Sequence, residues 1–153
     1  MKKYLLIFAT LIVAVLVSAP AASAQGVSRN DPSVVPDAEL EKDSLHNLTV
    51  ARHYFKLKKA YVAAVKRCEE IDSANPNFTK MDEVLYIAGI SSLRLAESKG
   101  KQKSAKTPDE LRLDARVYLS RLVSGYANSS FAKQAEGELK TLGGPIEPDS
   151  GRQ

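Results

Sequence analysis

In 153 residues the sequence has a single cysteine, Cys68. One thiol excludes an internal disulfide framework and any multi-cysteine zinc site, so packing alone must hold the fold together. Histidine is nearly as scarce. His46 and His53 stand seven positions apart, which on one continuous helix separates them by about 10 Å, too far to share a zinc ion. The chain has no glycine-rich phosphate loop, no nucleophile in a recognisable motif and no metal-ligand spacing, so catalysis would have to be assembled from scattered residues. The sequence therefore reads as a non-enzyme, with no catalytic residue, no cofactor and no metal. A dense positive stripe is also missing, which argues against nucleic acid as a partner.

What is present begins with an export pattern. Lys2 and Lys3 precede an apolar run from Leu5 to Val17, and Ala22-Ser23-Ala24 supplies a small-residue cleavage site. These are the three parts of a secretory signal, expected over residues 1–24 with the mature chain starting at Gln25. The apolar run is shorter than the roughly 20 residues of a membrane-spanning helix, and Pro20 interrupts it, so no integral span is expected after signal removal. A lipoprotein would carry cysteine directly after the cleavage site. That position is Gln25, so no lipid anchor is encoded. Loss of Lys2 and Lys3 leaves 20 basic residues against 18 acidic ones, reducing the formal charge from +4 to +2.

Residues 25–43 are expected to form a flexible leader and residues 143–153 a disordered tail, both polar and turn-rich. Between them, over 44–142, apolar residues recur at helical spacing and no run alternates as a half-buried strand would. The expectation is an all-α domain of about five helices. The first ends near Lys58, with Leu48, Ala51 and Phe55 on one face. The second spans about Ala60 to Ser73, before Asn75-Pro76 stops it. The third starts after Thr79, whose hydroxyl would cap it with Asp82 three residues on. It runs through Val84, Leu85, Ala88, Ile90 and Leu95, apolar on more than one side, as a central helix would be. The segment 98–106, with Lys99, Lys101, Lys103 and Lys106, reads as a flexible, solvated loop. Thr107-Pro108-Asp109-Glu110 is a strong start for the fourth helix, which ends near Tyr126. A fifth opens at Ser129 and closes at Gly143-Gly144.

An internal repeat is also legible. Ala64, Cys68, Ile71 and Pro76 match Ala115, Leu119, Leu122 and Ala127 at equal spacing. A small residue on the hairpin seam, larger apolar residues after it and a closing proline give the spacing of a tetratricopeptide second helix.

Three stretches carry a likeness beyond the repeat. They are Ala51-Arg52-His53-Tyr54-Phe55 with Tyr61 to Arg67; Pro76 to Gly89, including Asp82-Glu83-Val84-Leu85-Tyr86; and Leu122 to Phe131 through Ala135. Together they resemble the BamD-like outer-membrane assembly factors, periplasmic tetratricopeptide proteins of Gram-negative bacteria. The likeness covers most of Val50 to Leu142. It departs from the family in the missing lipid-site cysteine, in Ala127 where the junction usually has proline, and in a shorter array. The resemblance implies a right-handed solenoid fragment and a periplasmic adaptor or scaffold, free or peripheral to the outer membrane, with envelope proteins such as the assembly machinery as partners. Two other functions fit such an array: a soluble tetratricopeptide module of cell division and peptidoglycan coordination, and a chaperone for unfolded clients.

Partner-binding candidates are residues that the core stripe does not use. Arg52 and Tyr54 on the first helix and Tyr86 and Arg94 on the third are of the types that most often dominate interfaces. Cys68 lies at a core-facing repeat position and reads as a structural cysteine.

Overall fold

The computed structural model describes residues 37–146, so the signal, the leader up to residue 36 and the tail from residue 147 lie outside it. The described chain is all-helical. Its helices are α1 (Ala38–His53), α2 (Tyr61–Ala74), α3 (Met81–Ala96), α4 (Pro108–Gly125) and α5 (Ala132–Thr141). None of them is long and apolar enough to cross a membrane.

Local chemistry explains most helix ends. The Asp37 carboxylate accepts from the backbone N–H groups of Glu39 and Leu40 at 2.9 and 3.3 Å, while Glu39 and Glu41 in the first turn and Arg52 and His53 in the last complement the helix dipole. Helix α1 thus begins at Ala38 and takes in residues 38–43, which on composition alone belong to the leader. It leaves through a π turn, Tyr54–Lys58, and Lys59 at φ 50° turns the chain into α2. Thr107 and Glu110 form the expected capping box, with Pro108 opening α4. Gly143 and Gly144, at φ 89° and 88°, terminate the last helix, and the Gly144 N–H reaches back to the Leu139 carbonyl at 2.8 Å.

Two further starts differ from expectation. Thr79 does not cap α3, which begins after Lys80 without a side-chain cap. The Thr79 hydroxyl donates instead to Glu41 of α1, as does its backbone N–H at 3.2 Å. Helix α5 begins at Ala132, three residues beyond Ser129, whose hydroxyl accepts from Phe131 N–H at 3.1 Å and donates to Asp82 at 2.7 Å.

Packing follows chain order. The extensive contacts join α1 to α2, α2 to α3, α3 to α4 and α4 to α5. Helix α3 is buried nearly all round, from Met81 and Val84 to Leu95 and Ala96, because it fills the space between two hairpin partners. Its approach to α4 is close at Gly89, where an added Cβ would lie 2.7 Å from the Leu119 side chain and 3.4 Å from the Ala115 carbonyl oxygen.

The internal repeat is structural as well as sequential. Ala64, Cys68 and Ile71 and their counterparts Ala115, Leu119 and Leu122 are all at most 1% exposed. The turn after each helix repeats bond for bond. Asn75 and Tyr126 donate to Ile71 and Leu122 at 2.8 Å each, Phe78 and Ser129 to Asn75 and Tyr126 at 3.1 and 2.9 Å, and Met81 and Ala132 to Phe78 and Ser129 at 3.0 and 3.1 Å.

That equivalence yields a prediction at Ala127, which stands where the first unit has Pro76. The preceding residues share a conformation outside the α region, φ −137° and ψ 75° at Asn75 against φ −138° and ψ 50° at Tyr126, and the α region is the one that proline disfavours in its predecessor. Ala127→Pro should therefore stabilise the chain by about 0.4–1 kcal/mol by restricting the unfolded state. Chemical denaturation checks it, and a lowered midpoint would mean that the two turns are not equivalent.

The segment 98–106 is not the free loop that its lysines suggest. Gly100, at φ 98°, sits against Tyr61 and the Lys59 carbonyl, where a Cβ would come within 2.6–2.7 Å. Lys101 N–H donates to that carbonyl at 3.2 Å, and Gln102 accepts from Ala63 N–H at 3.2 Å. Lys106 pairs with Asp114 at 2.6 Å. The first residues of the expected tail are likewise held. Arg116 donates to the carbonyls of Gly143 and Gly144 at 3.2 and 2.6 Å, and Ile146 N–H donates to Ser120 at 2.9 Å.

Candidate interaction surface

Two sets of polar and aromatic links divide the helices. Odd-numbered helices are tied to one another. Arg52 of α1 binds Glu83 of α3 in a two-point fork, Nε to Oε1 at 2.6 Å and the second nitrogen to Oε2 at 2.5 Å. Tyr86 of α3 stacks on Phe131, which leads into α5, with centroids 4.7 Å apart and rings 24° from parallel. Even-numbered helices are tied in the same way. Arg121 of α4 grips Asp72 of α2 through two bonds of 2.7 Å, and the Tyr118 hydroxyl donates to Glu69 at 3.3 Å.

The four sequence candidates fare differently on this frame. Arg52 does lie outside the core stripe, but its guanidinium is committed to Glu83. Their side chains are 33% and 15% exposed, so the fork is half-sheltered and the hydrogen bonds from Arg52 hold the Glu83 carboxyl below its usual range against the opposing effect of burial. Tyr86, half-buried, is joined to Phe131, and burial pushes its phenol up. Arg94 pairs with Glu97 at 3.0 Å and keeps a third of its side chain exposed. Glu83, Tyr86 and Arg94 follow one stripe of α3 at helical spacing, so three of the candidates belong to the side formed by the odd-numbered helices. Tyr54 stands apart in the π turn, half-buried against the core.

Glu83 and Phe131 were missed as partners because each lies far along the chain from the residue that it meets. Glu83 had a visible role already, as an acid in the first turn of α3. Phe131 has one signal that was available: it sits in the turn that repeats the Phe78 turn, within the junction stretch.

Other groups have settled surroundings. Cys68 is 1% exposed, and burial, reinforced by Glu69, Glu83 and Asp72, pushes its thiol well above the usual range and keeps it protonated. His46 and His53 are both exposed. Among the described residues no group of three or more histidine, cysteine or acidic side chains could hold a metal ion. Large apolar side chains reach solvent at Leu57, 72% exposed in the π turn, and at Leu113 and Val117 on α4, 55% and 39% exposed.

No family model, no curated protein and no solved structure matches this chain.

Proposed function

We propose that this chain is a protein-binding adaptor of the cell envelope, a short tetratricopeptide-like array that works beside outer-membrane assembly in the manner of BamD-like factors. The observation that carries the reading is the repeated helix-and-turn unit. Its buried positions and its turn hydrogen bonds recur from α2 to α4, which is how arrays built for protein recognition are constructed. First helices of such arrays line a concave side, and the links between α1, α3 and α5 support that role for these helices. The export pattern at the N-terminus supplies the compartment.

The surface is tested with residues that make no helix-to-helix polar or ring link. Arg52 and Tyr86 are unsuited, since changing either disturbs a helix-to-helix link. Tyr54→Ala and Arg94→Ala should each weaken partner capture by about 1–2 kcal/mol with the helical signal unchanged, and Lys101→Ala should change neither. Crosslinked pull-down from native membranes supplies the readout. One stoichiometric outer-membrane assembly partner supports the reading. A division-site partner would point to the cell-division module, and a broad mixture of clients to a chaperone. Unchanged capture by Arg94→Ala would remove the odd-helix side as the binding surface, and unchanged capture by Tyr54→Ala would remove the π turn.

A further inference from the structure

Each helix reverses the direction of the one before it, so the π turn after α1 and segment 98–106 after α3 fall at one end of the array, and the turns after α2 and α4 fall at the other. Backbone bonds fix the first pair together: Lys101 N–H donates to the Lys59 carbonyl at 3.2 Å, and Gln102 accepts from Ala63 N–H at 3.2 Å. The sequence has no acid between Asp43 and Glu69, and none between Glu97 and Asp109. Folding therefore brings two acid-free runs to one end, where the connectors hold three lysines at 56–59 and four at 99–106. The far end has the opposite sign. Glu39 and Glu41 lie in the first turn of α1 and Asp82 in that of α3, and Glu41 closes that end by accepting from the Asn75 side chain and the Thr79 N–H at 3.2 Å each.

The acids that border the basic end do not neutralise it. Glu97 is met by Arg94 and Lys99 at 3.0 Å each, Asp109 by Arg112 at 2.8 Å and Asp114 by Lys106 at 2.6 Å, while Glu110 keeps its charge in the capping box. Lys58, Lys59, Lys101 and Lys103 are exposed and form no salt bridge among the described residues. Leu57, between Lys56 and Lys58 in the chain, is 72% exposed, more than any other large apolar side chain among the described residues. The backbone that carries these groups is held in unusual conformations. Lys59 and Ser98, at φ 50° and 56°, are the two non-glycine residues with positive φ among the described residues, and Gly100 is locked against Tyr61. Strain of this kind persists only where the surroundings over-determine it, and it collects at working surfaces, as π turns do.

We infer that this end docks reversibly on an anionic lipid surface, with the lysines over the headgroup phosphates and Leu57 entering the acyl boundary. The lysines need not converge on one anion, because a lipid surface presents a field of them and each cation near it gains separately. A phosphate polymer in water would satisfy the lysines and leave Leu57 in solvent, whereas a bilayer interface takes both. The acidic far end orients the approach, since it is repelled by the same surface.

The test is co-sedimentation of the exported chain, purified after signal removal so that the apolar run from Leu5 to Val17 contributes nothing, with two kinds of vesicle. It should bind vesicles of equal parts phosphatidylglycerol and phosphatidylcholine, bind phosphatidylcholine alone far more weakly, and be released by salt. Lys58→Gln and Lys101→Gln should each weaken binding about fivefold, and Leu57→Ser about tenfold, the smaller part of what full burial of a leucine gives. Lys80→Gln/Lys133→Gln, which removes two exposed charges from the start of α3 and of α5 at the far end, should leave binding nearly unchanged. Circular dichroism establishes that each variant is folded. Equal binding to both vesicles, or equal losses for charges removed at either end, would overturn the assignment. So would Leu57→Ser binding as tightly as the parent, and if the parent also bound inorganic polyphosphate equally well the surface would be a general polyanion site. Purified lipid contains no protein partner, and Lys101 separates the two surfaces: its loss should weaken vesicle binding and leave protein capture by the odd-helix side intact, so either reading can fail alone.

Discussion

Leu119→Ala is expected to lower stability by about 3–4 kcal/mol, among the largest effects available to a single substitution in a chain of this kind. Leu119 is fully buried, and it is the side chain against which α3 presents Gly89. Truncating it removes the transfer energy of the lost methyl groups and leaves a void that rigid helices on both sides cannot close. Gly89→Ala should also destabilise, by about 1–2 kcal/mol. The overpacking cost of about 1–3 kcal/mol outweighs the gain of under about 1 kcal/mol in helix propensity. The two changes should not add, because the new methyl group at position 89 enters the space vacated at position 119. A double-mutant cycle by urea denaturation measures this, and a double variant as unstable as the sum of the singles would show that the contact is not the one described.

Replacing Glu83 with glutamine should cost about 2 kcal/mol. A fully buried pair broken on one side loses about 3–5 kcal/mol and an exposed pair about 0.2–1 kcal/mol. The fork between Arg52 and Glu83 lies between these cases, with side chains 33% and 15% exposed. The loss should depend on acidity. Arg52 holds the folded-state carboxyl below its ordinary value of 4.5, so the contribution is complete above that value and disappears as the pH falls through the lower folded-state pKa. Stability measured from neutral pH downward should therefore converge for the two proteins only in acid below the ordinary carboxylate range. A constant gap across that window would mean that the charge on Glu83 does not matter and that only its shape does.

The helices were legible because their signals are local. Pro76, the Thr107 to Glu110 box and the Gly143-Gly144 pair each act within a few residues, and all of them end or begin a helix where expected. The turn at Thr79 was misread for the opposite reason. Its hydroxyl had a competing acceptor in Glu41, 38 positions earlier, which no local pattern reveals. The first turn of α1 escaped notice because residues 38–43 carry a single large apolar side chain, Leu40, although Asp37 and Glu39 did signal a helix start. The lysine segment reads as a solvated loop because side-chain composition says nothing of main-chain bonds, and it is the backbone of Lys59 that receives it. Among the interface candidates, position outside the core stripe was legible, whereas the commitment of Arg52 to Glu83, 31 positions away, was not.

Because each helix packs mainly on the one before it and the one after it, little chain entropy must be surrendered before the first contacts form. A topology dominated by near neighbours places the chain among domains that fold in microseconds to milliseconds. It also distributes resistance to opening unevenly. Helix α3 can be released only after both of its neighbours have gone, whereas α1 and α5 are each held chiefly from one side and can detach singly while the middle stays closed. The odd-numbered helices at the two ends are thus the segments most readily lent to a partner, and the central one is the segment that keeps its place while they move.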